Sequence, residues 1–139
     1  MSSQRTLVVL TAAITMLWAH LSYAQVPATP AGRQLTEWLR VRDTRDRATM
    51  QAFIEKNLMS ANVDGMLANQ KQTGGFDIKR VQESSDTRIA VVAQARITKQ
   101  FVIITLNVAP TDPHIITSIQ MRPTDPPADL VGPALTPDR

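Results

Sequence analysis

"KQTGGFDIKRV" (residues 71–81) joins a polar, helix-like run to an alternating, strand-like one through Gly74 and Gly75. A loop that cradles a phosphate runs from a strand into a helix N-terminus, where free N–H groups point outward. Here the order is reversed, because the helical pattern comes first. The two glycines are therefore predicted to end a helix, where a residue in the left-handed conformation commonly caps the last turn. This interpretation makes the stretch a corner of the fold and not a ligand loop.

Apolar residues before this corner recur with a period near 3.6, which is typical of amphipathic helices. Leu35, Trp38 and Leu39 share one face of a first helix. Asp46 and Asn62 are residue types that cap helix N-termini, so they predict the starts of a second helix and of a shorter third helix. The sequence up to the corner therefore predicts two to three helices.

After the corner the apolar period changes to 2, which indicates strands. Four segments follow this pattern, at residues 76–83, 87–97, 100–109 and 114–122. Their connections are short, which favours antiparallel neighbours, because parallel pairs need a long crossover. Helices followed by an antiparallel sheet predict the α+β class. The expected architecture packs the N-terminal helices on one face of a curved four-stranded antiparallel sheet.

Both ends of the chain are predicted to lie outside this domain, which spans residues 25–122. Residues 1–24 combine a basic start, an apolar run and a small-residue ending at Ala24, which is the layout of a signal peptide cleaved after that residue. The apolar run is shorter than the ~20 residues that span a bilayer, so no membrane anchor is expected after cleavage. Residues 123–139 hold five prolines without periodicity and predict a tail or linker. The expected location is the periplasm or the medium.

The residue inventory excludes several kinds of chemistry. The chain has no Cys, and after residue 24 it has no Tyr and a single His, His114. No nucleophile motif such as Gly-x-Ser-x-Gly is present, and no acidic or His cluster has metal-ligand spacing. We therefore predict no catalytic residue, no metal and no cofactor. Basic and acidic residues are interspersed, so the sequence also predicts no nucleic-acid surface, which needs basic groups on one face.

Three phrases resemble the leader domain that precedes bacterial secreted serine hydrolases of the tail-specific peptidase and beta-lactamase-like types. They are "AGRQLTEWLRVRDTRDRATMQAFIEKNL" (31–58), "TGGFDIKRVQESSDTRIAVVAQAR" (73–96) and "ITLNVAPTDPHIITSIQMRP" (104–123). The resemblance covers about residues 30–123. It implies a fold similar to the cystatin-like cone of the nuclear-transport-factor-2-like superfamily. The hydrolase activity is not carried over, since no hydrolase motif is found in this chain.

The resemblance implies an exported, non-catalytic accessory or interaction domain. The alternative is a small-molecule-binding or isomerase-like protein with the same cone. Isomerases of this kind resemble one another in pairing an acidic base with a Tyr donor, and the chain after residue 24 has no Tyr. Asp64 and Asp77 are the acids expected nearest the open end of the cone, and both are interpreted as solvated charges. A deep, mostly apolar pocket with a buried acid would favour the alternative.

The third predicted strand is apolar on both faces, which points to a contact surface on the sheet. If alternate residues from Val102 to Val108 cover the helices, Phe101 and Ile103 point away from them. Period-2 alternation adds three residues from neighbouring strands. The candidate interaction surface consists of Ala90, Val92, Phe101, Ile103 and Ile116. A patch rimmed by polar groups often marks a contact surface, so the expected partner is a second copy or a separate hydrolase domain.

Overall fold

The computed structural model describes residues 25–58 and 60–130. Its elements are α1 (Pro30–Asp43), α2 (Arg47–Asn57), α3 (Val63–Thr73), β1 (Phe76–Ser84), β2 (Arg88–Ala95), β3 (Phe101–Val108) and β4 (Ile116–Pro123). The strands form one antiparallel sheet in the order β1-β2-β3-β4, and the three helices pack against it. The predicted α+β class and the four-stranded antiparallel sheet are therefore confirmed. The predicted signal peptide (residues 1–24) and residues 131–139 of the predicted tail lie outside the described residues.

Each helix begins at a side chain that accepts a hydrogen bond from its first turn. Thr29 Oγ1 accepts from the Gly32 N–H at 3.0 Å and precedes α1. Asp46 accepts from the Thr49 N–H at 2.9 Å at the start of α2. Asn62 caps α3 in the same way. The predicted caps of the second and third helices are thus confirmed, and each satisfies a backbone donor that a helix leaves free.

The glycine corner has the geometry that the sequence predicts. Gly74 is the C-cap of α3 with φ 72°, and its N–H donates to the Gln70 carbonyl at 2.8 Å. A Cβ atom at this position would lie 2.6 Å from Cγ1 of Ile97. Gly75 follows with φ 93°, and its carbonyl accepts from the Arg96 N–H at 3.0 Å. Both glycines are therefore needed for backbone conformation and close approach at a helix-to-strand corner.

The hydrophobic core lies between α1 and the middle of the sheet. Leu35, Trp38 and Val41 come from one face of α1 and are buried. The sheet contributes the side chains of β2 and β3 that face the helices, which are Ile89, Val91, Ala93, Ala95, Val102, Ile104, Leu106 and Val108. The inward-facing positions predicted for the third strand are therefore confirmed, and they hold α1 against the sheet by burial of apolar surface.

The prediction that Ile116 lies on the outer face of the sheet is wrong. Asn107 pairs with Ser118, but the next residue, Val108, pairs with Ile116, so the ladder between β3 and β4 is shifted by one residue at Thr117. This irregularity turns Ile116 toward the helices, where it is buried in the core beside Leu58. A β-bulge inserts one residue into one strand and reverses the alternation beyond it. Strict alternation along the strand therefore placed Ile116 on the wrong face.

Between residues 25 and 130, apart from residue 59, no helix is both long and apolar enough to cross a bilayer.

Candidate functional site

Four of the five residues of the predicted interaction surface share the outer face of the sheet. Val92 lies opposite Ile103 across the β2–β3 ladder. Ala90 lies opposite Thr105, and Phe101 lies opposite Gln94. The residues that alternate with them face the core, so these side chains point away from the helices. We call Ala90, Val92, Phe101 and Ile103 the outer apolar stripe.

Two arginines extend one row of this stripe to both edges of the sheet. Arg80 on β1 lies opposite Val92, and Arg122 on β4 lies opposite Ile103. The row therefore reads Arg80, Val92, Ile103, Arg122 across all four strands. Its centre is apolar and its ends are basic.

The outer apolar stripe is covered although the helices lie on the other face. Ala90, Val92 and Phe101 are 6%, 1% and 8% exposed. Residues 124–130, which we call the C-terminal segment, continue from β4, and the Thr124 N–H donates to the Phe101 carbonyl at 3.0 Å. Asp129 then forms an ion pair with Arg80 on the opposite edge strand. The segment thus begins at one edge strand and reaches the other, three strand spacings or roughly 14 Å away. The C-terminal segment therefore crosses the outer face.

One pocket among the described residues is lined in part by three charged side chains and has no buried acid. It measures about 490 Å³ and lies between the N-terminal lead-in, α1 and β1. Arg96 donates from Nε to Asp77 at 2.9 Å and from Nη1 to Asp43 at 3.2 Å. Partial burial acts to lower the pKa of Arg96, but the hydrogen bond to Asp77 and the negative charges of Asp43 and Asp77 raise it. One guanidinium thus forms ion pairs with both carboxylates.

The other titratable side chains that the sequence brings into question have structural partners. His114 donates from Nδ1 to the Ala109 carbonyl at 3.0 Å. Asp64 lies on the surface in an ion pair with Arg47. Within the part of the chain that the structure describes, no group of three or more acidic or histidine side chains has the arrangement of a metal site.

The sequence places the aliphatic stem of Arg42 on the apolar face of the first helix, but it did not predict that the charged guanidinium would be enclosed as well. Arg42 is only 1% exposed. Its guanidinium lies 4.5 Å from the ring centre of Trp38 and 5.3 Å from that of Phe76. It donates to the side chain of Asn69 and approaches Sδ of Met121 to 3.9 Å. Its Nε has no hydrogen-bond partner. One cation is therefore enclosed by residues from α1, α3, β1 and β4.

The environment of Arg42 disfavours its charge. Burial lowers the pKa of Arg42 to about 10, against a smaller opposing effect of the neighbouring Asp43 carboxylate. The side chain remains charged at neutral pH, and among the described residues it forms no ion pair within 4.0 Å. The sequence carried a signal for this burial, because Arg42 follows Trp38 by four residues on the apolar face of α1.

Comparison of the chain with profiles of known protein families, with curated proteins and with solved structures finds no match.

Proposed function

We propose that this protein is an exported, non-catalytic interaction domain whose outer sheet face is its contact surface. The observation that carries the proposal is the outer apolar stripe, which has basic ends and lies on the face away from the helices. A half-solvated antiparallel sheet usually alternates apolar residues inside with polar residues outside. An apolar stripe on the outer face departs from that pattern and is typical of a binding surface.

The resemblance to the leader domains of secreted serine hydrolases supports the same role. We propose that the helices and the sheet form a cystatin-like cone of the nuclear-transport-factor-2-like kind. In this interpretation the domain binds and positions, and it performs no reaction itself. The engagement of Asp43, Asp77 and His114 in structural contacts is consistent with this role.

Few polar contacts hold the C-terminal segment over the outer apolar stripe. The ion pair between Arg80 and Asp129 is solvent-accessible, with side chains 42% and 65% exposed. Such surface pairs stabilise by only about 0–1 kcal/mol. The C-terminal segment has one further backbone hydrogen bond to the sheet, at Phe101. A partner that displaces this segment must therefore replace mainly the apolar burial that the segment provides, which an apolar partner surface can do.

The partner that we propose is a second copy of the chain or a separate hydrolase domain. In a twofold dimer the same patch meets itself, so an apolar stripe can be self-complementary. Arg80 and Arg122 would then flank the contact, where acidic side chains of the partner can pair with them.

Sedimentation of three proteins tests this surface. Asp129→Lys removes the attachment of the C-terminal segment and leaves the stripe intact, so we expect it to associate more strongly than wild type. Ile103→Lys, combined with Asp129→Lys, places a charge in the middle of the stripe, and we expect the double variant to be monomeric. Ile103 is only half-buried, so this charge can reach solvent.

The matched control is Asp125→Lys, which makes the same charge change on an exposed residue of the C-terminal segment that has no ion pair in the described structure. It is expected to sediment like wild type. The proposal is wrong if wild type and Asp129→Lys stay monomeric at high concentration, bind no hydrolase partner and gain no solubility from Ile103→Lys.

A further inference from the structure

Two cavities flank the buried guanidinium of Arg42 on the inner side of the sheet. The first, about 180 Å³, lies between β4 and the start of α3. Its lining is mostly apolar and includes Trp38, Leu58, Met66, Ile116, Ile119 and Met121. The second, about 240 Å³, lies between the end of α3 and the ends of β3 and β4. Its lining includes Asn69, Phe76 and Met121.

The residues that enclose the guanidinium are also the walls of these cavities. Trp38 and Met121 line the first cavity, and Asn69, Phe76 and Met121 line the second. Met121 is common to both and is 38% exposed although it lies on the inner face of the sheet. Methionine is unbranched and adopts alternative rotamers easily. Arg42 itself lines neither cavity, and Met121 is the movable side chain that contacts the guanidinium and borders both.

The guanidinium has unused binding capacity. Nη2 donates to Asn69, the contact of Nη1 is a thioether sulfur, which is a weak acceptor, and Nε has no partner at all. A buried cation without an anionic partner is unfavourable. A carboxylate would supply two acceptors for parallel N–H···O bonds, which are the strongest that arginine forms.

We infer that the cleft between α3 and β4 binds a small aliphatic carboxylate. The carboxylate pairs with Arg42 in place of the Met121 sulfur, and the alkyl chain fills the apolar first cavity. That cavity measures only about 180 Å³, which limits the chain to a short one. This site lies on the opposite side of the sheet from the outer apolar stripe, so it is independent of the proposed interaction surface.

Hexanoate is the probe for this site, and hexan-1-ol and hexylamine are the matched compounds without a carboxylate. We expect titration calorimetry to give saturable binding of hexanoate to the wild-type protein at neutral pH. We expect the alcohol to bind at least tenfold more weakly and the amine not to bind. A carboxylate that pairs with a permanent cation gains an interaction that neither control compound can make.

Two variants locate the binding. Arg42→Met keeps an unbranched apolar side chain and should lower hexanoate affinity at least tenfold, with little effect on hexan-1-ol. Met121→Ala keeps Arg42, opens the cleft and should raise hexanoate affinity severalfold, so the test does not depend on whether Arg42→Met folds. Lys56→Gln, on the exposed surface of α2 and away from both cavities, should leave the affinity unchanged. Equal binding of hexanoate and hexan-1-ol, or no hexanoate binding by either wild type or Met121→Ala, would overturn the inference.

Discussion

The buried side chain of Arg42 contacts four secondary-structure elements through both aromatic and polar contacts. Its aromatic contacts come from α1 and β1, and its polar contacts come from α3 and β4. Arginine suits this position because its planar guanidinium stacks on rings and still presents donors along its edge. The cost is a desolvated charge, which explains the lowered pKa. The contacts of Arg42 hold α1, α3, β1 and β4 together, and its Nε is left without a hydrogen-bond partner in the centre of the fold.

At Gly74 a single methyl group should destabilise the glycine corner. Gly74→Ala forces φ 72° on a residue with a side chain and brings its Cβ to 2.6 Å from Ile97. We expect urea unfolding to show a loss of about 1–3 kcal/mol. Gly65→Ala is the matched control, because Gly65 is helical and its Cβ would meet only Asn62, at 3.9 Å. That variant should gain about 0.4–1 kcal/mol.

The double variant Gly74→Ala/Ile97→Ala separates the two contributions at this corner. Ile97 is exposed, so its truncation removes the steric contact at small cost. Partial recovery relative to Gly74→Ala would assign the recovered part to the clash and the remainder to the left-handed backbone. A Gly74→Ala protein as stable as wild type would contradict this description of the corner.

The helices and strands were predictable because their signals are local in the sequence. Asp46 and Asn62 mark helix starts through hydrogen bonds to residues two or three positions away. Gly74 marks a helix end through a hydrogen bond to Gln70, four positions away. The misplacement of Ile116 has a different origin. The register shift at Thr117 exists only in the ladder with β3, and its consequence is the burial of Ile116 beside Leu58. Periodicity within one strand contains no information about such pairing.

The start of α2 provides a pH-dependent test of a single cap. Hydrogen bonds from the Thr49 side chain and backbone hold the pKa of Asp46 below its usual value of 3.8. Because the folded-state pKa is the lower one, the cap stabilises the fold above pH of about 4, and this contribution is lost as pH falls through the folded-state pKa. Asp46→Ala should therefore lower the melting temperature at neutral pH and have little effect in strong acid.

Asp46→Asn is the matched control for this cap. Its amide oxygen can still accept the Thr49 N–H, and it does not titrate. We expect it to stay close to wild type at neutral pH and to show a flatter pH dependence of melting temperature. An Asp46→Ala deficit of the same size at all pH values would show that the ionised carboxylate is not the stabilising group.

At the scale of the whole molecule, one sheet separates two surfaces of different chemistry. The outer face carries the outer apolar stripe between Arg80 and Arg122, and the inner face carries the buried guanidinium of Arg42. The stripe could be predicted, because alternation along β2 and β3 depends on each strand alone. The surroundings of Arg42 could not be predicted in this way. Trp38 and Arg42 meet Phe76 and Met121 only after β1 and β4 have taken their places in the sheet. The C-terminal segment was predicted as a tail, and its contact with Arg80 required the structure.

Cleavage of the predicted signal peptide would change the length of the whole chain. Export by cleavage after Ala24 would leave Gln25 as the first residue, directly before Val26, which packs against the core. The signal peptidase reads small residues at the positions before the cut, here Ser22 and Ala24. We therefore expect intact-mass spectrometry of the exported protein to give a chain of residues 25–139. Ala24→Arg should block this cut and leave a longer species in the membrane fraction, whereas Gln25→Glu, on the other side of the cut, should be processed like wild type. A full-length, membrane-bound wild-type protein would contradict the predicted signal peptide.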